Sequence, residues 1–343
     1  MKNSRIMIKR FFAQLWVNMK FHGPRVWRSM TLHAPEKWVA DGVVVAGPFV
    51  GELGFEIGEW VPHIKGLADR FKCRAHVFTK KGREVLYPFA ETIHTFDFPG
   101  GRAYCNWLID PCEEEVQLYD ALENRVRACA ARCEFRNKYR ILETSGRSRV
   151  FKTFRNKAPV LLEPPANLAA KWKKALPSTT KVILTFRAST RGRQRNSNID
   201  TLRRAAEFII KKGWTPVTVG KIDDEYSVPD IVGLNLVNQT SLADLVAIYN
   251  LSSAVVGSST GIIHLAAACG VPHITWGATR SGDKIAARYN KDWNLNNTWV
   301  RFISNDWDVS VEEIASPLVE AVKVSEATLQ GGNLSKANGT STI

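Results

Sequence analysis

Five apolar runs in the second half of the chain limit what it can fold into: VILTF (182–186), TPVTV (215–219), AVVG (254–257), HITWG (273–277) and VRFI (300–303). Each is about one strand long, and helical patterns separate them at about 200–212, 241–249 and 261–269. A last helix is predicted at 310–323, opened by Ser310-Val-Glu-Glu313 as a capping box. Runs that are apolar throughout suit strands covered on both faces, and their alternation with helices specifies a doubly wound parallel sheet.

The first half reads the same way with less regularity. VVVAG (43–47) is a buried strand, PFVGELG is a Gly-rich turn, and a helix follows from about Phe55 to Arg70. AHVFT (75–79) is a second strand, Arg83–Ala90 is predicted helical, and HTFDF is a candidate third strand. Residues 113–140 look helical and increasingly basic, and LLEPPANLAAKWKKALPSTT has the Pro pair and polar ends of a linker. The expected organisation is a basic amphipathic arm (1–40), a Rossmann-like domain (41–163), a second one (164–326) and a disordered Gly/Ser/Asn/Thr-rich tail (327–343). This is an α/β fold of two doubly wound domains facing across a cleft.

Composition narrows the partners. A chain of 343 residues that is 45% hydrophobic has material for substantial cores, so wholesale disorder is excluded. Its formal net charge of +14 implies an anionic partner, whether nucleic acid, an acidic membrane surface or a phosphorylated substrate. Six cysteines without a CxxC pair read as reduced thiols of a cytosolic protein. Cys129 and Cys133 share a helical face and would make half a metal site, but no second pair matches them, so packing is the reading taken. No apolar run reaches the roughly 18 residues needed to span a bilayer. Ile8, Phe11, Phe12, Leu15, Trp16 and Met19 recur at helical spacing among Lys2, Arg5, Lys9, Arg10 and Lys20. Such a helix either lies in an anionic membrane interface or packs on the protein itself.

In doubly wound sheets, ligands bind beyond the carboxyl ends of the strands. AVVG delivers the chain into Ser258-Ser259-Thr260-Gly261 at the start of a helix, with His264 about one turn in. Free N–H groups at that helix start make an anion site, although a plain capped turn has the same residues. After VILTF, Arg187-Ala-Ser-Thr-Arg191-Gly-Arg-Gln-Arg195 sets four arginines in one loop, either to fork onto a diphosphate or as solvated charge. Asp223 or Glu225, past the TPVTV strand, takes ribose hydroxyls or simply makes a hydrophilic turn. Asp306-Trp-Asp308 spells a DxD pair, but acids there also suit the start of the final helix, and no metal is assigned to it.

The stretch from Ser259 through Gly277, STGIIHLAAACGVPHITWG, resembles the donor-site motif of GT-B glycosyltransferases of the heptosyltransferase-like family 9. The resemblance implies an enzyme that transfers a sugar from a nucleotide-diphosphate donor with inversion. It implies no cofactor and no metal. The donor diphosphate would rest on Thr260, Gly261 and the helix start, in the turn that Ser258 and Ser259 open, with Arg187 or else Arg191 at the leaving group; by position, His264 would reach a phosphate and Asp223 a ribose. Ser259 stands where the family usually has Asp. Where family members often show Gly-Asp with the Asp as base, this chain has Gly51-Glu52, so Glu52 is the implied base. Glu56 and then Glu59 are reserves, and Glu56, Glu59 and His63 also fit a solvated helix stripe.

For the acceptor, a dense basic run from Arg125 to Lys157, with Arg136 and Lys138 in it, joins the basic arm, and His63 is a further candidate contact. These suit a membrane glycolipid such as a lipopolysaccharide core, approached by a peripheral enzyme on the cytoplasmic face. They suit modified DNA as well, or a catalytically inactive scaffold that binds nucleic acid or other anions. No obligate protein partner is evident.

Overall fold

The structure, a computed structural model, describes residues 42–99, 103–104, 107–108, 112–132, 139–142, 157–190, 192–278, 282–304 and 307–337. The amphipathic arm and most of the basic run, including Arg136 and Lys138, lie outside the described residues, as does Arg191. The chain folds as two compact units, Met1–Pro159 and Val160–Ile343.

The first unit opens with β1 (Val43–Phe49), buried along its whole length. Three helical segments follow: α1 (Leu53–Phe55), a π-helical turn (Glu56–Trp60) and α2 (Val61–Phe71). Then come β2 (Arg74–Lys80), β3 (Thr92–Phe96), a small hairpin of β4 (Ala103–Tyr104) and β5 (Trp107–Leu108), α3 (Glu113–Arg132) and β6 (Tyr139–Leu142). The sheet order is β3-β2-β1-β6, all parallel. Tyr119, Leu122, Val126 and Ala130 recur at helical spacing and pack α3 onto Val43, Val45, Phe78 and Phe96. Two expectations need correction. The helix predicted over Arg83–Ala90 is a single 3-10 turn, Glu84–Leu86, because Pro88 disfavours helical geometry at Tyr87. The helix predicted to 140 stops at Arg132, and Tyr139–Leu142 pairs with β1 instead.

The second unit contains α4 (Ala166–Ala175), β7 (Lys181–Ala188), α5 (Ile199–Lys211), β8 (Thr215–Ile222), β9 (Leu234–Asn235) and α6 (Leu242–Asn250). It continues with β10 (Ala254–Ser258), α7 (Gly261–Ala268), β11 (His273–Gly277) and α8 (Gly282–Ala287), which runs into a π-helical turn (Arg288–Asp292). β12 (Val300–Ser304) and α9 (Val311–Ala337) end it. The parallel sheet has the order β12-β11-β10-β7-β8-β9, the dinucleotide-fold order in which direction reverses between β7 and β10. The Ser310/Glu313 capping box opens α9, with Ser310 N donating to Glu313 Oε2 at 2.9 Å and Glu313 N to Ser310 Oγ at 3.3 Å. That helix runs through Ala337, past residue 323 and through most of the segment expected to be disordered. On one face of the sheet, Leu202, Ala206 and Ile209 of α5 and Ile314, Leu318 and Ala321 of α9 join Val182 and Leu184 in a single core. Helix α7 stops because Gly270 adopts φ +71°, and Val271 N returns to Ala266 O at 2.9 Å.

The end of β7 is held unusually close to both neighbours. A Cβ on Gly257 of β10 would lie 1.6 Å from Thr185 Oγ1, and one on Gly220 of β8 would lie 1.9 Å from the Phe186 carbonyl oxygen. The second obstacle is backbone and cannot swing aside. Gly220→Ala should therefore cost about 3 kcal/mol of stability, in the overpacking range, read as a lower urea midpoint at unchanged slope. An unchanged midpoint would show that β7 and β8 need not be this close.

Candidate active site

The reversal between β7 and β10 places the turn Ser258-Ser259-Thr260 and the start of α7 beside the loop that leaves β7. Thr260 is the N-cap of α7 and makes no side-chain capping bond, so backbone N–H groups of the first turn carry the positive end of the helix. Ser259, Thr260 and Gly261 are partly exposed. Ser258 is not: it is buried, and its hydroxyl donates to the Arg195 carbonyl at 3.2 Å. Its role is to fasten the β7 loop to β10 rather than to meet a ligand directly.

Within that loop, Arg187 turns back on its own segment. Its guanidinium donates to the Gly192 carbonyl at 3.1 Å and to Asn196 Oδ1. Asn196 closes the loop further, accepting from Ser189 N at 3.0 Å and donating to the Ser189 carbonyl at 3.1 Å. Asp223, at the end of β8, accepts from Thr190 N at 2.8 Å and from the Thr190 hydroxyl at 3.1 Å. The Thr190 backbone N–H is the main cause of its lowered pKa. Both residues chosen from the sequence as ligand contacts thus also hold the loop's shape. The arginine that sequence reasoning passed over is Arg195, half-buried and near enough to Tyr289 to act on its hydroxyl electrostatically.

Tyr289 itself was not anticipated. It is buried in the π-helical turn and donates to Ser259 Oγ at 2.9 Å. Ser259 stands where an acid was expected, and it is held by a phenol. Burial pushes the Tyr289 pKa up, so it remains a neutral donor. His264 stacks on Tyr289 (centroids 4.4 Å, 13°) and meets Trp293 edge-on at 4.6 Å, while Arg288 lies over Trp293 at 4.8 Å. Burial first, then His273 and Arg288, lower the His264 pKa to about 3. A cationic contact from His264 to a phosphate is therefore not available, and the ring serves as a packed wall of the turn. The spacing of Ile285, Tyr289 and Trp293 is the signal that could have revealed this segment, since i, i+4, i+8 lie on one helical face.

In the first unit, Glu52 is partly exposed and precedes α1 as its N-cap, without a side-chain capping bond. Glu56, four residues on, is fully buried. Its Oε1 accepts from the Thr79 hydroxyl at 2.7 Å and the Tyr87 hydroxyl at 2.6 Å, and its Oε2 pairs with Arg83. The same Arg83 guanidinium donates to the Gly51 carbonyl at 3.1 Å. A carboxylate so engaged is poorly placed to accept a substrate proton, and the reserve role given to Glu56 becomes one of holding the Gly51-Glu52 turn through Arg83. Lys80 stands near this pair, its pKa lowered to about 8 by burial and by Arg83, against the pull of Glu56. Glu59 pairs with Lys157 at 2.7 Å, and His63 is partly buried on α2. A solvated stripe is thus the wrong description of this helix.

Two dinucleotide-type units, the second with an anion-ready turn at its switch point, are the parts of a GT-B fold. Solved structures agree on the fold. ADP-heptose lps heptosyltransferase II of E. coli superposes with a TM-score of 0.53 at 13% identity, covering 83% of this chain and 99% of that one. A glycosyl transferase of family 9 from Veillonella parvula gives 0.57 at 11% identity, covering 83% and 98%. Residues 208–300, from α5 to the start of β12, match the sequence model of glycosyltransferase family 9 (heptosyltransferase). No curated protein matches this chain by sequence. No helix among the described residues is long and apolar enough to cross a membrane.

Two consequences can be measured. His264 and His273 are lowered from 6.5 to about 3 and about 4, chiefly by burial. The unfolded chain therefore takes up protons first, and stability that is complete above about pH 6.5 falls as the pH drops toward those values. Each histidine accounts for about 2 kcal/mol lost by pH 5. His264→Phe should flatten the fall in urea stability between pH 7 and pH 5, and an identical slope would contradict this. Glu56→Ala, which takes the shared partner from the buried Thr79 and Tyr87 hydroxyls and from partly buried Arg83, should cost about 3 to 5 kcal/mol. A loss under about 1 kcal/mol, the worth of an exposed pair, would refute the burial of that cluster.

Proposed function

We propose that this protein is a glycosyltransferase that moves a sugar, with inversion and without a metal ion, from a nucleotide-diphosphate donor to a hydroxyl of an anionic acceptor. The acceptor we favour is a lipopolysaccharide or another membrane glycolipid. The observation that carries the reading is the β7/β10 switch point, where partly exposed Ser259, Thr260 and Gly261 and the positive end of α7 meet the loop fastened to Ser258 through the Arg195 carbonyl. A helix start can stabilise the charge that develops on a leaving diphosphate, the task a divalent cation performs elsewhere.

In this reaction the acceptor oxygen attacks the anomeric carbon, the bond from that carbon to the diphosphate oxygen breaks, and the nucleoside diphosphate leaves. Glu52 takes the acceptor proton. Its partial exposure supports that role, and the Glu56–Arg83–Gly51 chain fixes the turn that presents it. The E. coli structural relative is, by its name, an ADP-heptose lipopolysaccharide heptosyltransferase, so ADP-heptose is the first donor to try. The net charge of +14 and the basic amphipathic arm support work at the anionic cytoplasmic face of a membrane.

The test is transfer and thermal shift with a panel of nucleotide sugars, on the wild type and on Glu52→Gln. Wild type should turn over at least one donor. The variant should lose about 100-fold or more in kcat while still binding that donor. Normal transfer by Glu52→Gln removes it as the base, and a wild type that neither binds nor uses any donor removes the reading. Flotation with anionic liposomes supports the glycolipid acceptor, whereas retention on duplex DNA without flotation overturns it.

A further inference from the structure

Away from the strand ends that carry the donor and base chemistry, three side chains distant in sequence meet on the α3 face of the first sheet. His76 lies in the middle of β2, His94 in the middle of β3, and Cys129 in the last turns of α3. The register pairs His76 with Thr92 and Phe78 with His94, so both imidazoles are on one face. Cys129 Sγ is 3.9 Å from His76 Nδ1 and 3.6 Å from His94 Nε2, and the three donor atoms all fall within 4.8 Å of one another. We propose that His76, His94 and Cys129 form a transition-metal site whose ion is Zn2+.

The geometry supports a shared ion. Zinc bonds of about 2.3 Å to sulfur and about 2.0 Å to nitrogen, at tetrahedral angles, place S and N about 3.6 Å apart. Both measured S···N separations are close to that edge. One soft thiolate with two imidazoles is a zinc donor set, and the hard cations that prefer all-oxygen ligands do not suit it. The surroundings fit ligand duty as well. His76 Nε2, the nitrogen other than the one nearest Cys129, lies 3.8 Å from Glu91 Oε2, beyond hydrogen-bond distance but close enough for the carboxylate's charge to favour a ligating imidazole. Glu91 is itself steadied by Arg74 at 2.9 Å. The His94 ring is held in place by stacking on Phe78 at 4.3 Å. All three side chains are partly buried, so an ion can enter from solvent.

The site would tie α3 to β2 and to the edge strand β3, and it takes no part in sugar transfer. It also revises the reading of Cys129 as a packing residue: its partners are histidines from two strands, which no cysteine spacing could disclose.

The experiment uses the full chain, stripped with a chelator and titrated with Co2+ and then with Zn2+. One equivalent of Co2+ should bind with a thiolate-to-metal charge-transfer band, Zn2+ should displace it, and Zn2+ should raise the Tm. Cys129→Ser should abolish the band and the Tm shift, Cys112→Ser should keep both, and Glu91→Gln should weaken Zn2+ binding by about 10-fold or more. Should Cys129→Ser fail to fold, His94→Gln carries the same expectation. The proposal is overturned if the wild type binds no stoichiometric metal, or if the band survives in Cys129→Ser or His94→Gln.

Discussion

The candidate donor site depends on how tightly three strand ends are drawn together. Gly257 and Gly220 flank the end of β7, and neither position has room for a methyl group. Where these strands meet, β10 leads into Ser258 and α7, while β7 leads into the arginine loop. Ser258 then joins the two through the Arg195 carbonyl. A wider spacing would pull the loop from the helix start, and the anion-binding geometry would be lost before any ligand contact was considered. The glycines matter through the backbones they let approach.

The first unit uses a different constraint for a similar purpose. Its turn is fixed by a buried charge: Glu56 is satisfied by Thr79, Tyr87 and Arg83, and Arg83 reaches the Gly51 carbonyl. Burying that cluster is tolerable only because every partner is supplied. The arrangement gives neighbouring carboxylates unlike environments. Glu52 is partly exposed, and Glu56 is committed to the interior. The three-ligand cluster of His76, His94 and Cys129 braces the same unit on another part of its sheet.

Much of this was legible in the residues. The strand runs of the second half fall inside observed strands, because strands buried on both faces must be apolar throughout. The helix start after Gly257 and the capping box at Ser310 were equally plain, since both are local chemistry. Side-chain roles were not. Arg187, chosen as a ligand contact, binds its own loop, while Arg195 acts electrostatically on Tyr289, the partner of Ser259. His264, chosen as a phosphate contact, is a neutral ring between Tyr289 and Trp293. Tyr289 was missed because the spacing of Ile285, Tyr289 and Trp293 marks a helical face but does not say that Ser259 and His264 stand opposite it.

The sequence by itself determined the two-unit α/β architecture, the place of the anion-ready turn and the family resemblance, because each is written in contiguous residues. Only the tertiary structure decided that Tyr289 holds Ser259, that Glu56 and not Glu52 is buried, and that two histidines and a cysteine meet. Those outcomes depend on which side chains share a face after residues far apart in the chain pack together. Periodicity says that a face exists, and packing alone says what stands opposite it.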